Sequence, residues 1–328
     1  MPTLNTKSVK LAIAFAAIYF IWGSTFLAIR FSITTIPPFF MMGFRCLVAG
    51  GILYAWARLR GVDRPQPAQW LTAVILGILL FTIGHGTLAW SEQFLPSGIA
   101  ALICATSPIW IILLQAFFHR DNPLTPRVVF GLIMGLCGVA LLIEPSMLLD
   151  GPSLNLTGAM VLLAGTLSWS IGAVYSKKAN LPKNSMLAAG MNLITGGGGL
   201  LFASLYKETV ILTSISLQSL VSLAYLIVFG SIFTFTAYFW LLRSTSPSRV
   251  ATHSFVNPVV AIFVGWFAGG ELINPRILIA ALMMVIGVGA IVRNQNHKYK
   301  FYRAKEPDIR RSHDRQDMVW ENKRLCKR

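Results

Sequence analysis

Charge is what this sequence has least of. Of its 328 residues only 12% are charged, and just 12 are Asp or Glu; a soluble domain commits about 25% of its residues to charge. It also lacks HExxH, GxSxG and any group of acids at metal-ligand spacing, which removes the usual marks of a metallohydrolase or acyl transferase. A Walker-type GxxxxGK[ST] is missing too, so the chain shows no ATP-binding motif. The four cysteines, Cys46, Cys104, Cys137 and Cys326, follow no metal-site spacing. No cofactor and no metal are expected.

What fills the space is apolar: 55% of residues are hydrophobic and the mean hydropathy is +0.64. The apolar residues fall into runs of about 20, the length that crosses a hydrocarbon core of roughly 30 Å as a helix. Ten such spans are expected, at 10–31, 38–57, 70–90, 97–118, 127–144, 156–176, 185–206, 219–241, 250–269 and 276–292. The first has no convincing small-residue cleavage site and reads as a retained span. The class is therefore an all-α polytopic membrane protein with the bilayer as its solvent.

A net charge of +16 would suit a nucleic-acid binder, but its distribution argues otherwise. On the side holding the N-terminus lie twelve basic residues: Lys7, Lys10, Arg58, Arg60, Arg64, Arg120, Arg127, Lys177, Lys178, Lys183, Arg243 and Arg249. The opposite side has three, Arg30, Lys207 and Arg276. Basic residues in short loops stay cytoplasmic, so both termini are expected in the cytoplasm of a bacterial inner or plasma membrane. The segment 293–328 holds twelve more Lys/Arg; it reads as a disordered basic tail drawn to anionic lipids, and no nucleic-acid partner is expected.

The chain repeats itself. WGSTFLAIR begins at Trp22 and WSIGAVYSK at Trp169; the same offset pairs Gly43 with Gly190, Arg45 with Asn192 and Gly50 with Gly197. Further on, Trp90 pairs with Trp240 and Pro108 with Pro258. Five spans per half is an odd number, so the second half enters the membrane from the other side. That is an inverted 5+5 repeat, a plan that places a substrate site near the midplane. The expected organisation is a cytoplasmic N-terminus (1–11), a first five-helix repeat (12–144), a second, inverted one (156–292) and the tail (293–328).

Four stretches carry a family resemblance: IWGSTFLAIR, PPFFMMGFRCLVAGGIL in span 2, SEQFLPSGIAAL entering span 4, and FVNPVVAIFVGWFAGGEL in span 9. The sequence resembles EamA-type transporters of the drug/metabolite transporter superfamily, above all their YedA-like bacterial branch. The resemblance runs from about residue 12 to residue 292. It implies ten helices around a central cavity and export of small metabolites, and leaves the substrate open.

Ionisable side chains inside a span cost about 2.5–3.5 kcal/mol on insertion scales, so each is a candidate site. Arg45 either snorkels to the headgroups or turns into the cavity to hold a carboxylate; the resembling family has an arginine here. His85 is either an interhelical contact or a proton site. Glu92, two turns further, is either an exposed loop carboxylate or a coupling and gating group; the resemblance includes a glutamate there. His253 faces the same choice as His85. Trp22 and Trp169, mid-span rather than interfacial, are packing residues or cavity walls. Tyr175, Asn192, Asn257 and Tyr19 are weaker candidates for the wall. Pro108 and Pro258 are expected to kink spans 4 and 9 as hinges. The glycines of GLIMGLCG and of GGGG at 196–199 offer close-packing faces, within the chain or in a homodimer.

The expected activity is proton-coupled export of a small organic, amino-acid-like metabolite by alternating access. A facilitative uniporter or channel is the first alternative and a membrane-embedded transferase the second.

Overall fold

Within hydrocarbon every backbone N–H and C=O must find its partner inside the protein, so an isolated apolar run can cross only as a helix. The computed structural model follows that rule. It describes residues 6–95, 97–118, 125–142, 156–211 and 215–269 and scattered positions of 275–291, with no strand among them. Among the described residues six helices are long and apolar enough to cross: span 1 (Ser8–Ser32), span 2 (Pro38–Leu59), span 3 (Pro67–Ser91), span 6 (Leu156–Ser176), span 7 (Ser185–Lys207) and span 8 (Leu217–Ser244). These are the first three spans of each repeat. Span 5 is the shorter helix Pro126–Leu142, and the described positions between 275 and 291 are helical. The basic tail lies outside the described residues.

The helix starts are written locally. Spans 2 and 3 open with Pro38 and Pro67 in the first turn, where the missing N–H has no helical partner to lose. Gln66 and Gln69 close a capping box ahead of span 3. Asn184 accepts from the backbone N–H groups of Met186 and Leu187, and Ser216 from that of Ser219, opening spans 7 and 8.

Spans 4 and 9, expected to kink at Pro108 and Pro258, are each divided into two helices. Span 4 divides into Ser97–Cys104 and Ser107–Phe118 around a turn at 105–106. Pro108 is the second residue of the new helix, where it interrupts nothing. Span 9 comprises Pro247–Val250 and His253–Gly269, joined by a turn at 251–252; Pro258 lies within the second helix. The chain breaks two residues ahead of one proline and six ahead of the other.

Glycine decides how the two halves meet. A Cβ on Gly50 in span 2 would lie 2.9 Å from the Gly190 carbonyl in span 7, and a Cβ on Gly190 would lie 3.0 Å from the Gly50 carbonyl. A Cβ on Gly197 would in turn lie 2.9 Å from the Gly43 carbonyl. Since Gly43 and Gly190 are repeat partners, as are Gly50 and Gly197, the contact is reciprocal: 50 meets 190 and 43 meets 197. Spans 2 and 7 therefore cross antiparallel about a local two-fold, the relation an inverted repeat produces. Of the GGGG run, Gly196 packs on Phe81, Gly197 on Cys46 and Gly199 on Thr82, whereas Gly198 faces open space. In span 5, Gly131 meets Gly287 and Gly135 meets the Phe255 ring, so this glycine face is used within the chain.

Candidate functional site: a central cavity floored by paired tryptophans

Spans 1, 3 and 8 each loosen into a π-helix at mid-length, over Ala17–Ile21, Gly77–His85 and Val228–Phe233. Spans 3 and 8 are repeat partners, so the wide turn recurs at one place in both halves. A π turn leaves carbonyls open to side chains, and such turns gather at functional sites. Here Leu80 O takes His85 Nδ1 (3.1 Å), and Phe229 O accepts from Thr234 Oγ1 (2.5 Å). Gly230 O accepts from both Trp22 Nε1 (3.2 Å) and Arg45 Nη2 (3.1 Å).

Arg45 is 2% exposed. It does not reach toward headgroups: Nε donates to Ser231 Oγ at 2.7 Å, and Nη1 lies 3.6 Å from Met42 Sδ. All its partners are neutral, so the guanidinium charge has no described counter-ion in contact. Such hydrogen bonds orient a buried cation without offsetting the cost of its desolvation.

Arg45 lines a cavity of about 90 Å³ together with Trp22, His85, Trp169, His253 and Asn257. Six residues singled out in the sequence thus converge on one space. Trp22 meets Trp169 edge to face, centroids 6.0 Å apart, and His253 at 4.9 Å. His85 lies 5.0 Å from the Trp169 ring and stacks on Phe81 at 5.4 Å. Phe81, Phe235 and Tyr238 are buried beneath these rings, in an apolar cluster with Ala14, Ile18, Leu241, Leu242 and Val250 at the end where span 1 begins. The lining takes residues 22–29 of span 1, 84–88 of span 3 and 162–169 of span 6. It therefore runs from mid-span toward the end where spans 1 and 2 are joined.

Asn257 locks part of this wall. With its amide nitrogen turned inward it donates to Ile18 O (3.2 Å), Tyr19 O (3.1 Å) and His253 O (2.9 Å), while its oxygen accepts from His253 Nδ1 at 3.3 Å. Tyr19 itself hydrogen-bonds Thr252 Oγ1 at 2.6 Å, holding span 1 to the turn in span 9.

The remaining candidates stand elsewhere. Tyr175 is 40% exposed and outside the cavity wall. Asn192 is fully buried in span 7, its Nδ2 on Ala188 O, so it serves the packing of the halves rather than the cavity. Glu92, placed at a hydrated mouth by its loop position, is instead buried in the turn after span 3. Neither of its carboxyl oxygens has a hydrogen-bond partner among the described residues. Burial holds this carboxyl well above the usual carboxylate range, and Arg30 opposes that in part.

Sequence reasoning passed over Thr25, Ser107, Thr166 and Ser254, which also line the cavity. Thr25 and Thr166 lie three residues from Trp22 and Trp169, so a helical-face reading around the tryptophans would have found them. Ser107 and Ser254 bond each other at 2.7 Å across spans 4 and 9. Gly230 and Ser231, which hold Arg45, carry no sequence signal, because nothing in VFGSIF announces a π turn.

This arrangement is a membrane-buried cavity between two like halves, and its relatives fit. The EamA-like transporter family matches the chain twice, over residues 9–144 and 156–293. The inner membrane transporter YedA of Escherichia coli K12 is 35% identical over 289 residues, 88% of this chain and 91% of its own length. The transporter YoaV of Bacillus subtilis is 27% identical over 281 residues, 85% of this chain and 96% of its own. A crystal structure with 20% sequence identity superposes with a TM-score of 0.73, covering 87% of this chain and 98% of the other. The chain belongs to the EamA-like transporter family; it is a multi-pass membrane transporter.

Proposed function

We propose that this protein exports small organic metabolites bearing a carboxylate, in exchange for protons, by alternating access. The observation that carries this reading is Arg45: a buried guanidinium on the wall of a mid-membrane cavity, held by neutral groups and lacking a described counter-ion. A substrate carboxylate supplies the missing charge, in the bidentate geometry a guanidinium favours.

Proton exchange rests on Glu92 and His85. Glu92 favours its neutral form in its buried turn, and Cys104, within reach of its charge, lines the cavity. His85 stands on the cavity wall itself, in the span that this turn ends. With both termini cytoplasmic, the cavity opens outward and the cluster around Phe235 and Tyr238 is the closed inner gate. The repeat supplies the reciprocal state, in which the halves exchange roles around a fixed site.

The test is flux in proteoliposomes with and without an imposed pH gradient. Substrate movement driven by the gradient supports exchange. Movement indifferent to it makes the protein a uniporter.

A further inference from the structure

The charge balance of the cavity goes further than the presence of Arg45. Of the described residues on its wall none is acidic, while one is a cation. The buried carboxyl of Glu92 lies off the lining, and the charge acting on it is that of Arg30. An α-ammonium attached next to a carboxylate held by Arg45 would therefore sit close to a like charge with no acid to receive it. The wall hydroxyls do not replace one, since they are neutral: Thr25 and Thr166 donate to helix carbonyls, and Ser107 and Ser254 bond each other. The aromatic floor is likewise engaged with itself, edge to face.

Size narrows the class. A water-sized probe needs about 10–15 Å³, so a cavity of 90 Å³ accommodates roughly six to nine such volumes. Phe26, Ile29, Leu88 and Leu162 give the wall an apolar part beside its neutral hydroxyls. We infer that the cavity selects a small carboxylate monoanion with an apolar body over the zwitterion or the cation built on the same skeleton. This rests on the reading of Arg45 as the carboxylate site and departs from an amino acid as substrate.

The experiment compares three ligands of one skeleton on the full-length wild-type protein in detergent near neutral pH, by thermal shift and calorimetric titration. These are 4-methylpentanoate, leucine and isopentylammonium. The expected result is a Kd for 4-methylpentanoate at least tenfold below that for leucine, and no stabilisation by isopentylammonium. Leucine binding as tightly as 4-methylpentanoate, or more tightly, overturns the inference and leaves Arg45 as a carboxylate site. Isopentylammonium binding most tightly overturns both. Stabilisation by none of the three overturns the inference alone, because the proteoliposome flux assay judges the transporter reading separately.

Discussion

Trp22 and Trp169 stand thirteen residues into the two family matches, and in the folded chain they touch, edge to face at 6.0 Å. A residue that meets its own repeat partner lies at the pseudo-symmetry axis, so the cavity floor is where the two halves meet. Trp22 also donates to Gly230 O, the carbonyl that Arg45 shares. Replacing both tryptophans by Ala should therefore be non-additive. A double-mutant cycle on substrate affinity is expected to show coupling of about 1 kcal/mol. Strict additivity would mean that the rings merely fill space.

Arg45 tests differently, because its geometry matters as well as its charge. Three nitrogens reach three neutral atoms, and an ammonium cannot span Ser231 Oγ and Gly230 O while also presenting a flat edge to a carboxylate. Arg45→Lys should insert and fold yet lose substrate affinity about tenfold, or about 1.4 kcal/mol. Titration calorimetry on the purified variant measures it, and unchanged affinity would reduce the guanidinium to a point charge. Arg45→Leu should abolish transport of a carboxylate while leaving membrane insertion intact.

Much of this was readable in the sequence, and the reasons differ by residue. Periodicity and length located the long spans, since a bilayer allows the backbone few alternatives. The offset of 147 located the tryptophan floor because both copies kept the residue. Arg45, His85 and His253 announced themselves as ionisable groups in apolar runs. The π turns did not, for a wide turn depends on which tertiary partners claim its carbonyls, as Trp22 and Arg45 claim that of Gly230. Glu92 misled for a related reason: a loop position between spans suggests water, yet the packing around the turn removed it.

The crossing of spans 2 and 7 can be tested within GGGG itself. A Cβ on Gly197 would lie 2.9 Å from both Cys46 Cβ and the Gly43 carbonyl, whereas one on Gly198 would meet nothing within 4 Å. A methyl group at 197 must push two helix backbones apart, at a cost of about 1–3 kcal/mol. At 198 the same methyl improves helix propensity and is expected to be neutral or stabilising by about 0.5–1 kcal/mol. Thermal unfolding of Gly197→Ala and Gly198→Ala in detergent should separate in opposite directions. Equal melting temperatures would contradict the crossing.

Lys177, just past span 6, holds the end of span 8. Its Nζ donates to the carbonyls of Leu242 (3.1 Å), Arg243 (3.5 Å) and Thr245 (2.7 Å), and burial pushes its pKa down. A cation at a helix C-terminus stabilises it by roughly 0.3–1 kcal/mol. Lys177→Met should lower the melting temperature slightly and raise proteolytic nicking near residues 243–246. A variant as resistant as the wild type would show that the three contacts contribute nothing.

Glu92 ties stability to pH with a definite sign. A carboxyl whose folded-state pKa is raised favours the fold while protonated. That contribution is fully present below the ordinary carboxylate range and is lost as pH rises through the folded-state value. Between about pH 5 and about pH 8 the wild type should therefore lose melting temperature relative to Glu92→Gln, whose amide does not titrate. The same substitution should flatten the pH dependence of flux, because it removes a proton the transport cycle would otherwise bind and release. Parallel melting curves would mean that Glu92 stays in one protonation state across the range. An unchanged flux profile would move the coupling site from this turn to the histidines of the cavity.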